Sequence, residues 1–144
     1  MTSSTIGVRG QARRSIWQAG IVAILLAAIG NSTLYSICYI TGVIPWNMLS
    51  PGRGVSLNPG LVISVSIGGA IAGTLIYALI VRVTNNPDRV FRWTALVILV
   101  LSFGAPLMME RFTPDLTVAL DLMHVLVAAA TVWALTIWRR RAHS

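Results

Sequence analysis

Lysine is absent from this 144-residue chain, and only four acidic residues stand against eleven basic ones, every one of them arginine. Charged residues make up 10% of the sequence and hydrophobic residues 56%, whereas an ordinary soluble domain carries roughly 25% charged residues. So little charge cannot cover a water-soluble globule. So much apolar content is also the reverse of the composition that keeps a chain disordered. A single cysteine, Cys38, excludes an internal disulfide and a cysteine-based metal centre, and leaves the redox compartment open. There is no Walker loop, no G-x-S-x-G elbow, no Cys-x-x-Cys pair and no histidine pair at metalloprotease spacing, so the soluble active sites those motifs mark are missing. The apolar runs lack two-residue alternation, which argues against a membrane β-barrel.

What remains is a chain long enough for one domain and four membrane crossings at about 20 residues each. The first apolar run covers 16–39, 24 residues or roughly 36 Å as a helix, enough to cross a hydrocarbon core of about 30 Å with some tilt. The next stretch, 40–60, holds Pro45, Pro51, Pro59, Gly52 and Gly54 and reads as the longest loop. Further spans follow over 61–83, 93–109 and 116–138, separated by the Thr84-Asn85-Asn86-Pro87-Asp88 turn and by a turn from Phe112 to Asp115, with Pro114 just before the last span. Residues 1–15 form an amino-terminal tail, the first dozen of them expected to be disordered, and 139–144 a carboxyl-terminal one.

Arginine position sets the orientation. Arg9, Arg13, Arg14, Arg82, Arg89, Arg92, Arg139, Arg140 and Arg141 fall on one side and only Arg53 and Arg111 on the other, which places both termini in the cytoplasm. Trp17, Trp93 and Trp138 fall at that interface and Trp46 near the opposite one. Arginines spent on span ends leave no separate basic patch, so nucleic acid is not an expected partner; the lipid bilayer is. A signal-peptide reading competes for the first span, with Arg13-Arg14 ahead of an apolar core and Ala28-Ile29-Gly30 as a cleavage site. The apolar run continues past Gly30 through Leu34, Ile37 and Ile40, which favours a retained helix.

A charge near the bilayer centre costs at least about 2.5 kcal/mol, so ionisable groups at depth are the first place to look for function. Asp121 and His124 share one face of the fourth span, at roughly 7 and 12 Å below its outer boundary. Tyr35 and Asn31 lie at matching depths on the first span. If the two spans are neighbours, Tyr35 donates to the Asp121 carboxylate and Asn31 bonds the His124 imidazole, with Ser32, Thr33 and Ser102 as further partners. Such a buried polar cluster most simply fixes packing. A proton or ion pathway is the alternative, since His titrates near neutral pH, although the inner half of the bundle offers no second carboxylate or histidine for a relay. Haem or chlorophyll ligation by His124 lacks a second buried histidine, and two side chains are too few for catalytic zinc, so no cofactor or metal is expected.

Glu110, Arg111 and Asp115 at the outer end read as solvated interface groups, with a small polar vestibule beside Asp121 conceivable. Gly69 and Gly73 are spaced for close helix packing, inside the bundle or between two copies, and Ser66 extends that small face. Pro106 is expected to kink the third span, eased by Gly104, while Met108, Met109 and Met123 read as apolar filler. Gly52-Arg53-Gly54 is too short for a phosphate cradle, and the Arg139-Arg140-Arg141 run reads as a topology anchor with affinity for anionic lipid.

The overall layout, the stretch Leu101-Ser102-Phe103-Gly104-Ala105-Pro106-Leu107 and the stretch Met123-His124-Val125-Leu126-Val127-Ala128-Ala129 resemble a family of small bacterial four-helix membrane proteins catalogued as a domain of unknown function. The resemblance covers about Arg13 to Trp138, with a longer proline-rich first loop in this chain. It implies an integral membrane protein and supplies no activity. The expectation is an all-α, integral membrane four-helix bundle in the cell membrane, non-enzymatic, packing with itself or with a membrane-protein partner as a structural or accessory component. A small transporter or proton-coupled sensor centred on Asp121 and His124 is the alternative, with a membrane enzyme third.

Overall fold

The computed structural model describes residues 3–45, 57–104 and 113–138, with the side chains of 3–14 and of Trp138 outside that set. Among the described residues the fold is all-α. The helices are α1 (Ser3–Ile40), α2 (Pro59–Val83), α3 (Pro87–Ser102) and α4 (Pro114–Trp133), the last continued by a π turn over Ala134–Trp138. Among those residues, three segments are long and apolar enough to cross a membrane: Ser15–Ile40, Pro59–Val83 and Pro114–Ile137.

Each helix boundary has a local cause. Proline stands at the first position of α2, α3 and α4, where its fixed φ suits a helix and its missing N–H is not needed. Asn58 caps α2 by accepting from the Leu61 N–H at 2.8 Å, and Thr113 caps α4 by accepting from Leu116 at 3.3 Å. These helices therefore begin at Pro59, Pro87 and Pro114, ahead of the apolar runs that begin at Leu61, Trp93 and Leu116. α1 closes on Gly42, whose φ of +78° lets its N–H reach the Tyr39 carbonyl while the Ile44 N–H reaches that of Cys38.

The amino-terminal segment departs from the sequence expectation. α1 runs back to Ser3, where a disordered tail was expected for the first dozen residues. No proline interrupts 3–14, and extending a helix already nucleated by the apolar segment costs little per residue. The third span is only partly within view. The 16 residues of α3 rise about 24 Å, and 105–109 of the expected span lie outside the described residues, as do Trp46, Arg53, Pro106, Met108, Met109, Glu110, Arg111 and the Arg139–Arg141 run.

α1, α2 and α4 all pack on one another, and α3 packs on α4 and α2. The interior is rich in small and polar residues, with larger apolar side chains such as Ile16, Phe91, Leu116, Met123 and Leu135 buried among them. On α1 the buried stripe is Ser15, Ala19, Ala23, Ala27, Asn31, Tyr35 and Cys38; on α2 it is Val62, Ser66, Ala70, Thr74, Tyr77 and Ile80. The large aliphatics point outward: Ile29 is 64% exposed, Leu79 61%, Val118 66% and Leu101 71%. This inverts the arrangement of a water-soluble bundle, where burying large apolar groups drives folding. In lipid, small residues at the seams let helices approach closely while large apolar ones meet the acyl chains.

Candidate functional site

Close approach of α1, α2 and α4 comes from glycines set against larger neighbours. A Cβ on Gly20 would lie 2.7 Å from Thr74 Cγ2, one on Gly30 2.7 Å from Leu126 Cδ2, and one on Gly73 2.7 Å from Thr131 Cγ2. A Cβ on Gly69 would lie 3.2 Å from Val127 Cγ1, so both Gly69 and Gly73 lie on the α2–α4 seam. Gly68 has open space around it.

Within this tight interior, Asn31 joins three helices. Its amide Nδ2 donates to Ser66 Oγ at 2.8 Å on α2 and to the Met123 carbonyl at 3.3 Å on α4. Ser66 Oγ in turn donates to the Val62 carbonyl at 2.7 Å. Asn31 is 3% exposed, and its Oδ1 is buried with no hydrogen-bond partner among the described residues. An amide in this position resists separation of the helices, because breaking its bonds would leave polar atoms in hydrocarbon.

The other expected members lie close by without joining it. The Tyr35 hydroxyl donates to the Leu57 carbonyl at 3.1 Å, fastening α1 to the residue ahead of the α2 cap, and its ring stacks on Tyr39 at 6.3 Å. It does not reach Asp121. His124 Nδ1–H donates to the Leu120 carbonyl at 2.8 Å within its own helix. A carbonyl can only accept, so a neutral ring carries its proton on Nδ1 and keeps Nε2 as an acceptor. The expected pairings of Tyr35 with Asp121 and of Asn31 with His124 are therefore not formed. Asp121 Oδ1 is buried and has no hydrogen-bond partner among the described residues.

The reason is azimuth. Depth matching was sound, since Asn31 meets Met123, the residue before His124. At about 100° per residue, however, α4 turns Leu116, Ala119 and Met123 toward α1, where they cluster with Tyr35 and Cys38. His124 lies about 100° round from Met123 and Asp121 about 160° away, on a different face. The expected helpers spend their hydroxyls on their own helices: Ser32 on the Ala28 carbonyl, Thr33 on that of Ile29, Ser102 on that of Leu99.

A second buried polar pair, at the α2–α3 turn, was not anticipated from sequence. Tyr77, fully buried, donates its hydroxyl to Asp88 Oδ1 at 2.5 Å and stands edge-on to Phe91 at 5.0 Å. Asp88 sits in the first turn of α3, where a carboxylate complements the helix dipole. A tyrosine nearly two turns inside a span end, ahead of an acid just past a proline, was the available signal. Among the described residues no three His, Cys, Asp or Glu side chains come together.

Fold and site together define an all-α chain with, among the described residues, three helices long and apolar enough to cross a membrane and small residues along their seams. Over residues 11–143 the chain matches a family of unknown function (DUF6069), and it belongs to that family. No curated protein and no solved structure matches it.

Proposed function

We propose that this chain is a multi-pass protein of the cell membrane with both termini in the cytoplasm, serving as a non-enzymatic structural or accessory component that packs with itself or with a membrane partner. The observation that carries this reading is the Asn31 node: a polar side chain only 3% exposed is spent on tying α1 to α2 and α4. Tyr35 ties α1 to the Leu57 carbonyl ahead of α2, while His124 spends its bond on its own helix. Interhelical bonds of this kind contribute about 0.6–2 kcal/mol each and specify which faces meet.

A second reading, proton-coupled transport or sensing, draws on one specific observation. Among the described residues Asp121 Oδ1 is buried without a partner, and a neutral His124, three residues on, keeps Nε2 as an acceptor. Reconstituting the full chain in vesicles that enclose a pH-sensitive dye separates the two. The structural reading expects no proton flux above protein-free vesicles under an imposed gradient. A flux abolished by Asp121→Asn or His124→Leu would overturn it in favour of the second.

A further inference from the structure

The α2–α3 turn carries a surface cleft of about 800 Å³, bounded by Asn86, Asp88, Arg89, Arg92, Trp93 and Leu96. Its size falls within the roughly 300–1,000 Å³ of small-molecule sites. We infer that this cleft binds one anionic phospholipid, with the phosphate between the Arg89 and Arg92 guanidiniums and an acyl chain running along Leu96 and the outer face of α3. The inference rests on the membrane reading above and names a ligand that reading leaves open.

Charge is the first argument. Arg89 and Arg92 are three residues apart on one helical face, both exposed, and neither has a hydrogen bond or ion pair to another described residue. A guanidinium pair suits phosphate because each planar fork can donate two parallel N–H bonds. Asp88 also borders the cleft, but it is 9% exposed and its Oδ1 accepts from Tyr77, so the guanidiniums are the charges presented outward.

The order of polarity along the helix is the second argument. From the turn inward the same face of α3 passes from Arg89 and Arg92 to Trp93, 62% exposed, then to Leu96 and Val100, which are also exposed. Cation, amphipathic ring and aliphatic surface follow one another as phosphate, ester region and acyl chain do in a leaflet. A free phosphate would use only the guanidiniums and leave the Trp93 and Leu96 walls of the cleft unused.

The test uses the purified full chain in neutral detergent, titrated with phosphatidylglycerol or with phosphatidylcholine of the same acyl chains, and counts retained lipids by native mass spectrometry. The expected result is saturable retention of one phosphatidylglycerol, with a preference over phosphatidylcholine of roughly tenfold or more, about what two arginines facing an anionic headgroup supply. Arg89→Gln with Arg92→Gln should remove the preference, and Arg82→Gln, on α2 outside the cleft, should leave it intact. Equal retention of the two lipids, or indifference to the double substitution, would overturn the inference. So would displacement of the lipid by millimolar inorganic phosphate, which would assign the cleft to the free anion. Carbonate extraction of membranes keeps the failures distinct: release of the chain contradicts the membrane reading, whereas retention without lipid preference contradicts this inference alone.

Discussion

Replacing Gly73 by alanine should destabilise the bundle, and the geometry says by how much and how to undo it. The new Cβ would meet Thr131 Cγ2 at 2.7 Å, about 1 Å inside the optimal carbon–carbon separation of roughly 3.5–4.0 Å. Thr131 cannot swing aside cheaply, because it is β-branched and its hydroxyl donates to the Val127 carbonyl at 2.7 Å. The strain must then be met by parting α2 from α4. A gap of up to 1 Å forfeits a quarter to a half of each dispersion contact along the seam, including Gly69 against Val127. Overpacking of this kind costs about 1–3 kcal/mol, partly offset by the roughly 0.8–1 kcal/mol that alanine gains over glycine in a helix. Thr131→Ser removes the offending methyl and keeps the hydroxyl, so Gly73→Ala should cost close to nothing in that background. Gly68→Ala, which meets nothing within 4 Å, should be neutral or slightly stabilising. Unfolding in mixed micelles by titration with dodecyl sulfate measures all five proteins, the unsubstituted chain and the Thr131→Ser background included. If Gly68→Ala costs as much as Gly73→Ala, or if Thr131→Ser gives no relief, the seam is not where the structure puts it.

Asn31→Leu removes donors to both Ser66 and the Met123 carbonyl and should lower stability by about 1–3 kcal/mol in the same titration; an unchanged midpoint would show that the amide does not tie the helices. Tyr77→Phe deprives buried Asp88 of a donor and should cost about 1–3 kcal/mol, whereas a loss below about 0.5 kcal/mol would contradict the burial of that pair. Asp121→Leu should preserve or raise stability, because its buried Oδ1 has no hydrogen bond among the described residues, in a setting where that is costly. A marked loss of stability in Asp121→Leu would show that the carboxylate has a structural partner.

Helix class could be read from the sequence because the bilayer demands long, uninterrupted apolar runs; of the four spans expected, three are long and apolar enough among the described residues. Helix starts were harder. Pro59, Pro87 and Pro114 were taken as loop markers, yet Asn58-Pro59, Asn86-Pro87 and Thr113-Pro114 each open a helix, since proline interrupts a helix only when a turn precedes it. The site was half visible. Depth follows from counting residues, so Asn31 was placed at the level of Met123 and His124, but rotation about the helix axis depends on which neighbour each face meets. The alanine column Ala19, Ala23 and Ala27 carried that information, because three small residues four apart mark the crowded side of α1. With α1 oriented by that stripe, Asn31 and Tyr35 fall on the seam. Polar type alone did not orient α4, whose seam is lined by Leu116, Ala119 and Met123 and not by Asp121 and His124. Tyr77 and Asp88 escaped notice because each belongs to a span end, where exposed polar groups are ordinary.

The central claim is that the large aliphatic faces meet hydrocarbon while the small-residue stripes form a closed interior. Spin labels on single cysteines, introduced after Cys38→Ala in the full chain reconstituted in bilayers, test it most directly. Labels at Ile29, Leu79 and Val118 should collide readily with oxygen, which concentrates in the acyl region, and little with a water-soluble nickel chelate, while labels at Ala27 and Ala119 should be shielded from both. Strong nickel collisions at Ile29, Leu79 and Val118 would place those faces in water and contradict the account.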